Sequence, residues 1–301
     1  MSEFWAQVGL IAAIASTVFV IFLLQSPSSQ KRHDIRVGVL PDVAESALHK
    51  RYSNLLDHLS QETGLKLQLV TPNSYQHLLR LFADREIEMA YFGGLTFVRS
   101  QSFYDARPLV MRQIDTQFTS YFVVRANGPL QDCDDLSCET LAGKVLSFGS
   151  KLSTSGHLMP RHFLKTVLEI DPETYFGMVR YSGAHDQTAL MVRDGEADIG
   201  VLNSEIFRSM QKEGRLKKDE LRVIWETPPY PDYVWAIQNQ LDAKTETVLR
   251  NAFLMLELSN ERHAKILSPM GAKAFLPAGT TEFTPLKKIA EKLGLLIRDK
   301  P

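Results

Sequence analysis

The chain has 301 residues, 44% apolar and 23% charged, the make-up of a folded globular protein with room for one large domain or two smaller ones, and not of a disordered chain. Lys plus Arg number 34 against 35 Asp plus Glu, a formal net charge of -1, so no global field draws the protein to nucleic acid. From Phe4 to Leu24, "FWAQVGLIAAIASTVFVIFLL" runs without a charge, long enough to cross a bilayer and longer than the apolar part of an ordinary signal peptide. It predicts a membrane anchor, with residues 1–33 as anchor and linker. No lipobox cysteine follows, and "QSPSSQKRHD" offers no clear small-residue cleavage site. Lys31 and Arg32 come after the span, and on charge bias alone they would keep the C-terminal part cytoplasmic.

After the linker, "DIRVGVLP" reads as a buried strand and "HKRYSNLLDHLSQETG" as a helix with Tyr52, Leu55, Leu56 and Leu59 on one face, closed by Gly64. The strand "LKLQLVTP", the helix "SYQHLLRLFADREI" and the short strand "EMAYFGG" follow. Strands alternating with amphipathic helices predict parallel pairing and an α/β architecture. The pattern then shifts to a long extended run, "FTSYFVVRANG". A second series comes after it: "KVLSFG", "MPRHFLKTVLEI", "GMVRYSG", "HDQTALMVRDG", "ADIGVLNSEIF". A second extended segment, "LRVIWETPPYPDYVWAIQ", precedes the helices "KTETVLRNAFLMLEL" and "TPLKKIAEKLG". Two series joined by two crossings predict two lobes with a cleft between them, residues 34–119 plus 229–301 in one and 120–228 in the other. Ligands in such folds sit where strand ends meet helix starts.

The segment "QDCDDLSCET" carries Cys133 and Cys138 and reads as an acidic surface loop. In an oxidising compartment the two would close a small disulfide loop. A zinc site lacks a second ligand pair, and His157 is distant in sequence; the thiol pair also leaves a soft-metalloid site open. The stretch "GSKLSTSGHLMP", Gly149 to Pro160, sits between a strand and a helix. Ser153, Thr154 and Ser155 exceed the one hydroxyl that a helix start needs for its cap. Either the stretch is an ordinary capped loop, or free N–H groups, hydroxyls and the helix dipole together hold an anion.

"RVGVLP", "RYSNLLDHLSQETG", "SYQHLLRLFADREIEMAYFGGLTFV", "STSGHLMP" and "SGAHDQTALMVRDGEADIGVLNSE" together resemble the phosphonate, phosphite and phosphate (PhnD-like) periplasmic binding components of ABC importers, over nearly everything after the anchor. The resemblance implies a type II periplasmic binding-protein fold, two mixed sheets flanked by helices that close on an oxyanion without catalysis or cofactor. The extracytoplasmic habit of that family outweighs the charge signal of Lys31 and Arg32, placing the protein on the periplasmic face of the inner membrane. Carried over by motif, Ser153, Thr154 and Ser155 hold the ligand's oxygens, His185 is the pocket histidine, and Tyr75 reaches the same oxygens from the other lobe. Glu205 and Asp232 match acids that face the amine of aminoalkylphosphonates. Phe118 stands where those binders have a further tyrosine, Gly94-Leu95-Thr96 replaces a proline- or asparagine-containing turn, and His157 replaces an aromatic. Trp225, Tyr230, Tyr233 and Trp235 read as hinge packing. His185 beside Asp186 also admits a hydrolase triad, but adjacent residues at a helix start point apart and no GxSxG elbow is present, so no enzyme is expected. The expected partner is an importer permease; the alternative is a membrane-anchored sensor that reports a phosphorus or arsenic oxyanion to a histidine kinase.

Overall fold

Ile35, Val37 and Val39 are fully buried in β1 (Asp34–Val39), because helices cover both faces of the sheet they enter, as in parallel α/β sheets generally. β2 (Lys66–Val70) and β3 (Met89–Phe92) pair parallel on either side of β1. Helix α1 (Glu45–Thr63) returns the chain from β1 to β2, buries Leu48, Tyr52, Leu55, Leu56 and Leu59, and ends at Gly64, whose φ of 69° suits glycine. Helix α2 (Tyr75–Ala83) starts at Ser74, whose side chain accepts the His77 N–H. The computed structural model describes residues 34–298. The expected anchor at residues 4–24 and its linker lie outside the described residues, among which no helix is long and apolar enough to cross a membrane.

Helices at 94–104, 172–175 and 261–267 are absent from the sequence expectation, and the first of them reaches the site. Helix α3 (Gly94–Tyr104) follows β3 directly, and every residue from Gly94 to Ser100 is buried. A helix enclosed on all sides has no polar face, so it shows no amphipathic period to read. Strand β4 (Arg107–Arg112) follows, and the chain then leaves the first sheet.

The second sheet holds β5 (Ser120–Arg125), β6 (Val145–Phe148), β7 (Met178–Tyr181), β8 (Ile199–Asn203) and β9 (Leu221–Glu226), in the order β7-β6-β8-β5-β9. Helices α4 (Met159–Thr166), α5 (Pro172–Tyr175), α6 (His185–Arg193) and α7 (Ser204–Lys212) belong to this lobe. The chain then crosses back as β10 (Val234–Ile237) and β11 (Phe275–Pro277), completing a six-stranded sheet in the order β11-β4-β10-β3-β1-β2. The segment that reads as one extended run, "LRVIWETPPYPDYVWAIQ", is thus two strands in different sheets. At the crossing, Phe118 N–H donates to Tyr230 O at 2.8 Å and Tyr230 N–H to Phe118 O at 3.0 Å, so both passages between the lobes are tied at one point.

Cys133 and Cys138 form a disulfide. Their segment is less superficial than its acidity suggests, since Leu130, Cys133 and Leu136 pack into the second lobe's core beside Phe122 and Leu146. Arg222 caps its carbonyls, donating to Leu130 O at 2.9 Å and Gln131 O at 2.6 Å.

Below the crossing, Arg112 and Asp115 form a buried ion pair, Nε to Oδ2 at 2.8 Å, and Arg112 also donates to Met270 O. The Asp115 carbonyl accepts the Asp232 N–H at 2.9 Å. Asp115→Ala leaves a guanidinium buried without its counter-charge and is expected to cost about 3 to 5 kcal/mol in urea unfolding. A loss below about 1 kcal/mol would show that water reaches Arg112 in the folded protein.

Candidate functional site

Ser153 is the N-cap of a short π-helical turn, Thr154–Leu158, that runs into α4. Its Oγ accepts the Gly156 N–H at 2.9 Å, and Leu158 N–H reaches back five residues to Ser153 O at 3.0 Å. Single π turns of this kind are frequent at functional sites. The sequence predicts an ordinary α-helical start here; the wider turn goes with Gly156, where a Cβ would come within 2.9 Å of both His185 Cε1 and Ser153 Oγ. The first N–H groups of such a start have no intrahelical acceptor. Ser120, the first residue of β5, donates its hydroxyl to Ser155 O at 2.6 Å and is bonded to the Tyr230 hydroxyl.

The opposing lobe brings a second helix start to the same place. At the beginning of α3, Leu95 N–H donates to Thr154 Oγ1 and Gly94 N–H to Asp232 Oδ1, both at 2.9 Å. A Cβ at Gly93 or Gly94 would sit 3.4 Å from Thr154 Oγ1, so the two lobes meet here with little space to spare. The lobes are closed on one another by further bonds: His185 N–H to Asp42 O at 3.0 Å, Ala44 N–H to Asp186 Oδ2 at 3.1 Å, and Asn203 Nδ2 to the Tyr233 hydroxyl at 2.9 Å. The Tyr233 hydroxyl in turn donates to Asp42 Oδ2 at 3.0 Å.

His185 is fully buried. Its Nδ1 accepts the Asn203 N–H at 3.2 Å, which fixes the proton on Nε2, and Nε2 faces Ser153 Oγ at 3.4 Å. Burial, and then the charge of Arg51, push its pKa down to about 3. The ring is therefore a neutral donor. An Nε2 that already carries a proton cannot take one from Ser153, and Asp186 bonds Ala44 N–H and lies 3.6 Å from Arg215, so the triad reading fails on geometry. Tyr75 is buried, and burial and then Asp42 hold its phenol well above the usual range, as a protonated donor. Asp232 is pushed up to about 7 by burial, against the Gly94 N–H that favours its anion.

Three buried polar atoms of this cluster make no hydrogen bond of good geometry among the described residues: Tyr75 Oη, Ser155 Oγ and Asp232 Oδ2; their polar neighbours lie within the cluster itself, Ser153 beside Tyr75 and the Ser155 hydroxyl beside Asp232 and Tyr230. Such groups are normally satisfied, and these three lie together with Ser153, Thr154 and His185. Of the seven residues singled out from sequence, six converge. Glu205 does not join them: it bonds Arg208 at the start of α7 and lines an adjoining cavity that shares Asp42, Asn203 and Tyr233 with the site. Asp42, Asn203, Ser120 and the N–H groups of Gly94 and Leu95 were not anticipated. The one available signal was the Gly-Gly pair after "EMAYF", a strand end on which close backbone approach depends. Tyr230 and Tyr233, read as hinge packing, also place their hydroxyls against the site. His157 takes over the packing of the aromatic it replaces, 5.2 Å from both the Phe148 and Tyr181 ring centroids.

Residues 37–283 match the profile of the family described as ABC transporter, phosphonate, periplasmic substrate-binding protein. The chain is 28% identical over 287 residues to the probable ABC transporter phosphite binding protein PhnD1 of Prochlorococcus marinus, covering 93% of this chain and 96% of that one. The structure of PhnD1 from that organism in complex with methylphosphonate superposes with a TM-score of 0.81 at 27% identity, covering 87% of this chain and 98% of that one. The phosphonates-binding periplasmic protein of Escherichia coli is 21% identical over 93% of this chain and 84% of its own length.

Ser155→Ala is expected to weaken oxyanion binding by about 1 to 3 kcal/mol, because one ligand oxygen loses its hydroxyl; calorimetry that shows no change would remove Ser155 from the site. Titration gives an independent check. His185, neutral in the fold and protonated near 6.5 when unfolded, gives stability that is whole above about 6.5 and drains as pH falls toward 3. Asp232 has the opposite sign: its proton stabilises the fold fully below about 3.8, and that is lost as pH rises through about 7. Between pH 6.5 and 4, His185→Gln is expected to flatten the acid loss of stability and Asp232→Asn to steepen it. Each change amounts to about 1.4 kcal/mol per pH unit relative to wild type. Parallel curves for all three proteins would contradict both assignments.

Proposed function

The chain belongs to the family of periplasmic substrate-binding proteins of phosphonate ABC transporters, and we propose that it captures a small phosphorus oxyanion of the phosphite or methylphosphonate kind for an importer permease. The observation that carries this reading is the meeting of Tyr75 Oη, Ser155 Oγ and Asp232 Oδ2, buried and without a hydrogen bond of good geometry among the described residues, where the two lobes close. A tetrahedral anion supplies an acceptor to each donor. Neutral donors, a helix start and two hydroxyls replace its hydration shell without a full opposing charge. Ser153, Thr154 and His185 complete the donor set. Closing on the ligand shifts the protein toward the form in which α3 and the Ser153 turn touch.

The tight approach of Gly93 and Gly94 to Thr154 and Asp232 favours a substituent no larger than a methyl group. It disfavours an aminoalkyl chain, as does the pairing of Glu205 with Arg208. Asp232 then serves as an acid that donates to a ligand oxygen, not as a counter-ion for an amine. The relative that is named for phosphite, and whose structure carries methylphosphonate, supports the same substrate range. Residues 4–24 would tether the protein to the membrane beside the permease.

Calorimetry against phosphite, methylphosphonate, phosphate, arsenite and 2-aminoethylphosphonate tests the reading. Phosphite and methylphosphonate are expected to bind at least about tenfold more tightly than the aminoalkyl compound, a difference of about 1.4 kcal/mol. Failure of every phosphorus oxyanion would overturn the proposal. If Asp232 binds as the acid, the heat of binding near pH 8 depends on the ionisation enthalpy of the buffer, since a proton is taken up. That dependence disappears in Asp232→Asn; its persistence there would assign the proton elsewhere.

A further inference from the structure

The cavity that Glu205 lines, which adjoins the oxyanion cluster across Asp42, Asn203 and Tyr233, is also built from both lobes. It encloses about 420 Å³ and takes Lys50 and Arg51 from α1, Tyr91 from β3 and the α7 face that includes Lys212. Each of its carboxylates has an arginine beside it: Asp42 lies 3.7 Å from Arg51, with its Oδ1 lacking a hydrogen bond among the described residues, Glu205 bonds Arg208, and Glu213 lies 3.6 Å from Arg215. Arg112 is committed to Asp115. Lys50 and Lys212, one from each lobe, are exposed and have no salt-bridge partner among the described residues. Deeper in, Tyr91 is 2% exposed and its hydroxyl has no hydrogen-bond partner among the described residues. Its ring stacks on Tyr233 with centroids 5.2 Å apart and meets Tyr52 at 5.6 Å, giving the cavity an aromatic wall.

We propose that this cavity binds a small organic polyanion of the di- or tricarboxylate class. Unpaired ammonium groups at the rim answer to carboxylates, the unsatisfied Tyr91 hydroxyl gives a buried donor, and the aromatic wall accepts a carbon skeleton. A volume of about 420 Å³ lies in the range of small-molecule sites, well beyond what one inorganic oxyanion fills. Because Lys50 and Lys212 come from opposite lobes, the site is assembled only when the lobes are closed. The polyanion therefore favours closure, and by linkage each ligand tightens the binding of the other by the same factor.

Citrate titrated into the full-length protein at low ionic strength, with and without saturating methylphosphonate, is the test. Saturable citrate binding is expected, about fivefold or more tighter when methylphosphonate is present. Lys50→Glu combined with Lys212→Glu is expected to lose at least about tenfold in citrate affinity while methylphosphonate affinity measured without citrate is unchanged, and Tyr91→Phe is expected to weaken citrate binding several-fold. Absence of saturable binding, unchanged citrate affinity in the double variant, or competition between citrate and methylphosphonate would each overturn the proposal. Citrate titrated alone reports on this cavity whichever anion occupies the first site, so the two assignments fail separately.

Discussion

An anion taken out of water must recover, bond for bond, what its hydration supplied, and it must do so without a neighbour that repels it. The arrangement around Ser153 depends on one bond that meets this demand indirectly, the Asn203 N–H to His185 Nδ1. That bond leaves Nε2 as a donor aimed at the Ser153 turn. Burial keeps the ring neutral, so the pocket gains directionality without a second titrating cation. The other parts follow the same logic. Tyr75 is held protonated by burial, and burial pushes Asp232 up to about 7.

Much of this was legible in the sequence, for identifiable reasons. The βαβ series carried apolar residues at helical spacing, as in Tyr52 to Leu59, and the "STSG" stretch between strand and helix announced a helix start with more hydroxyls than capping requires. Ser153, Thr154 and Ser155 stand out as surplus hydroxyls at a helix start, whereas His185 and Tyr75 are named only through the resemblance of their motifs to the family's. What stayed hidden belongs to the backbone or to burial. Helix α3 has no exposed face and hence no period, and its Gly94 and Leu95 N–H groups leave no mark in residue type. Asn203 acts on His185 through its main chain, and its side chain contributes elsewhere, to Tyr233.

Glu205 is placed otherwise than its motif position suggests. Motif position places it beside Asp232, but Arg208 is one helical turn away on the same face, and the i,i+3 pair forms. A local partner in the same turn holds it apart from the Asp232 cluster. Among the described residues Asp232 has no salt bridge; it meets the Gly94 N–H and the hydroxyls of Thr154 and Ser155.

Ser120 is the first residue of the second lobe's sheet, two positions after the tie between Phe118 and Tyr230, and its hydroxyl holds both Ser155 O and the Tyr230 side chain. Pivot and grip are thus a single bond apart. With Ser155 as the proposed ligand contact, a clam of this design cannot loosen its axis without slackening its hold on the cargo, and tuning release speed means altering affinity with it. Diversification toward faster turnover would have to begin at the outer latches, such as Ala44 with Asp186, and leave the axis alone.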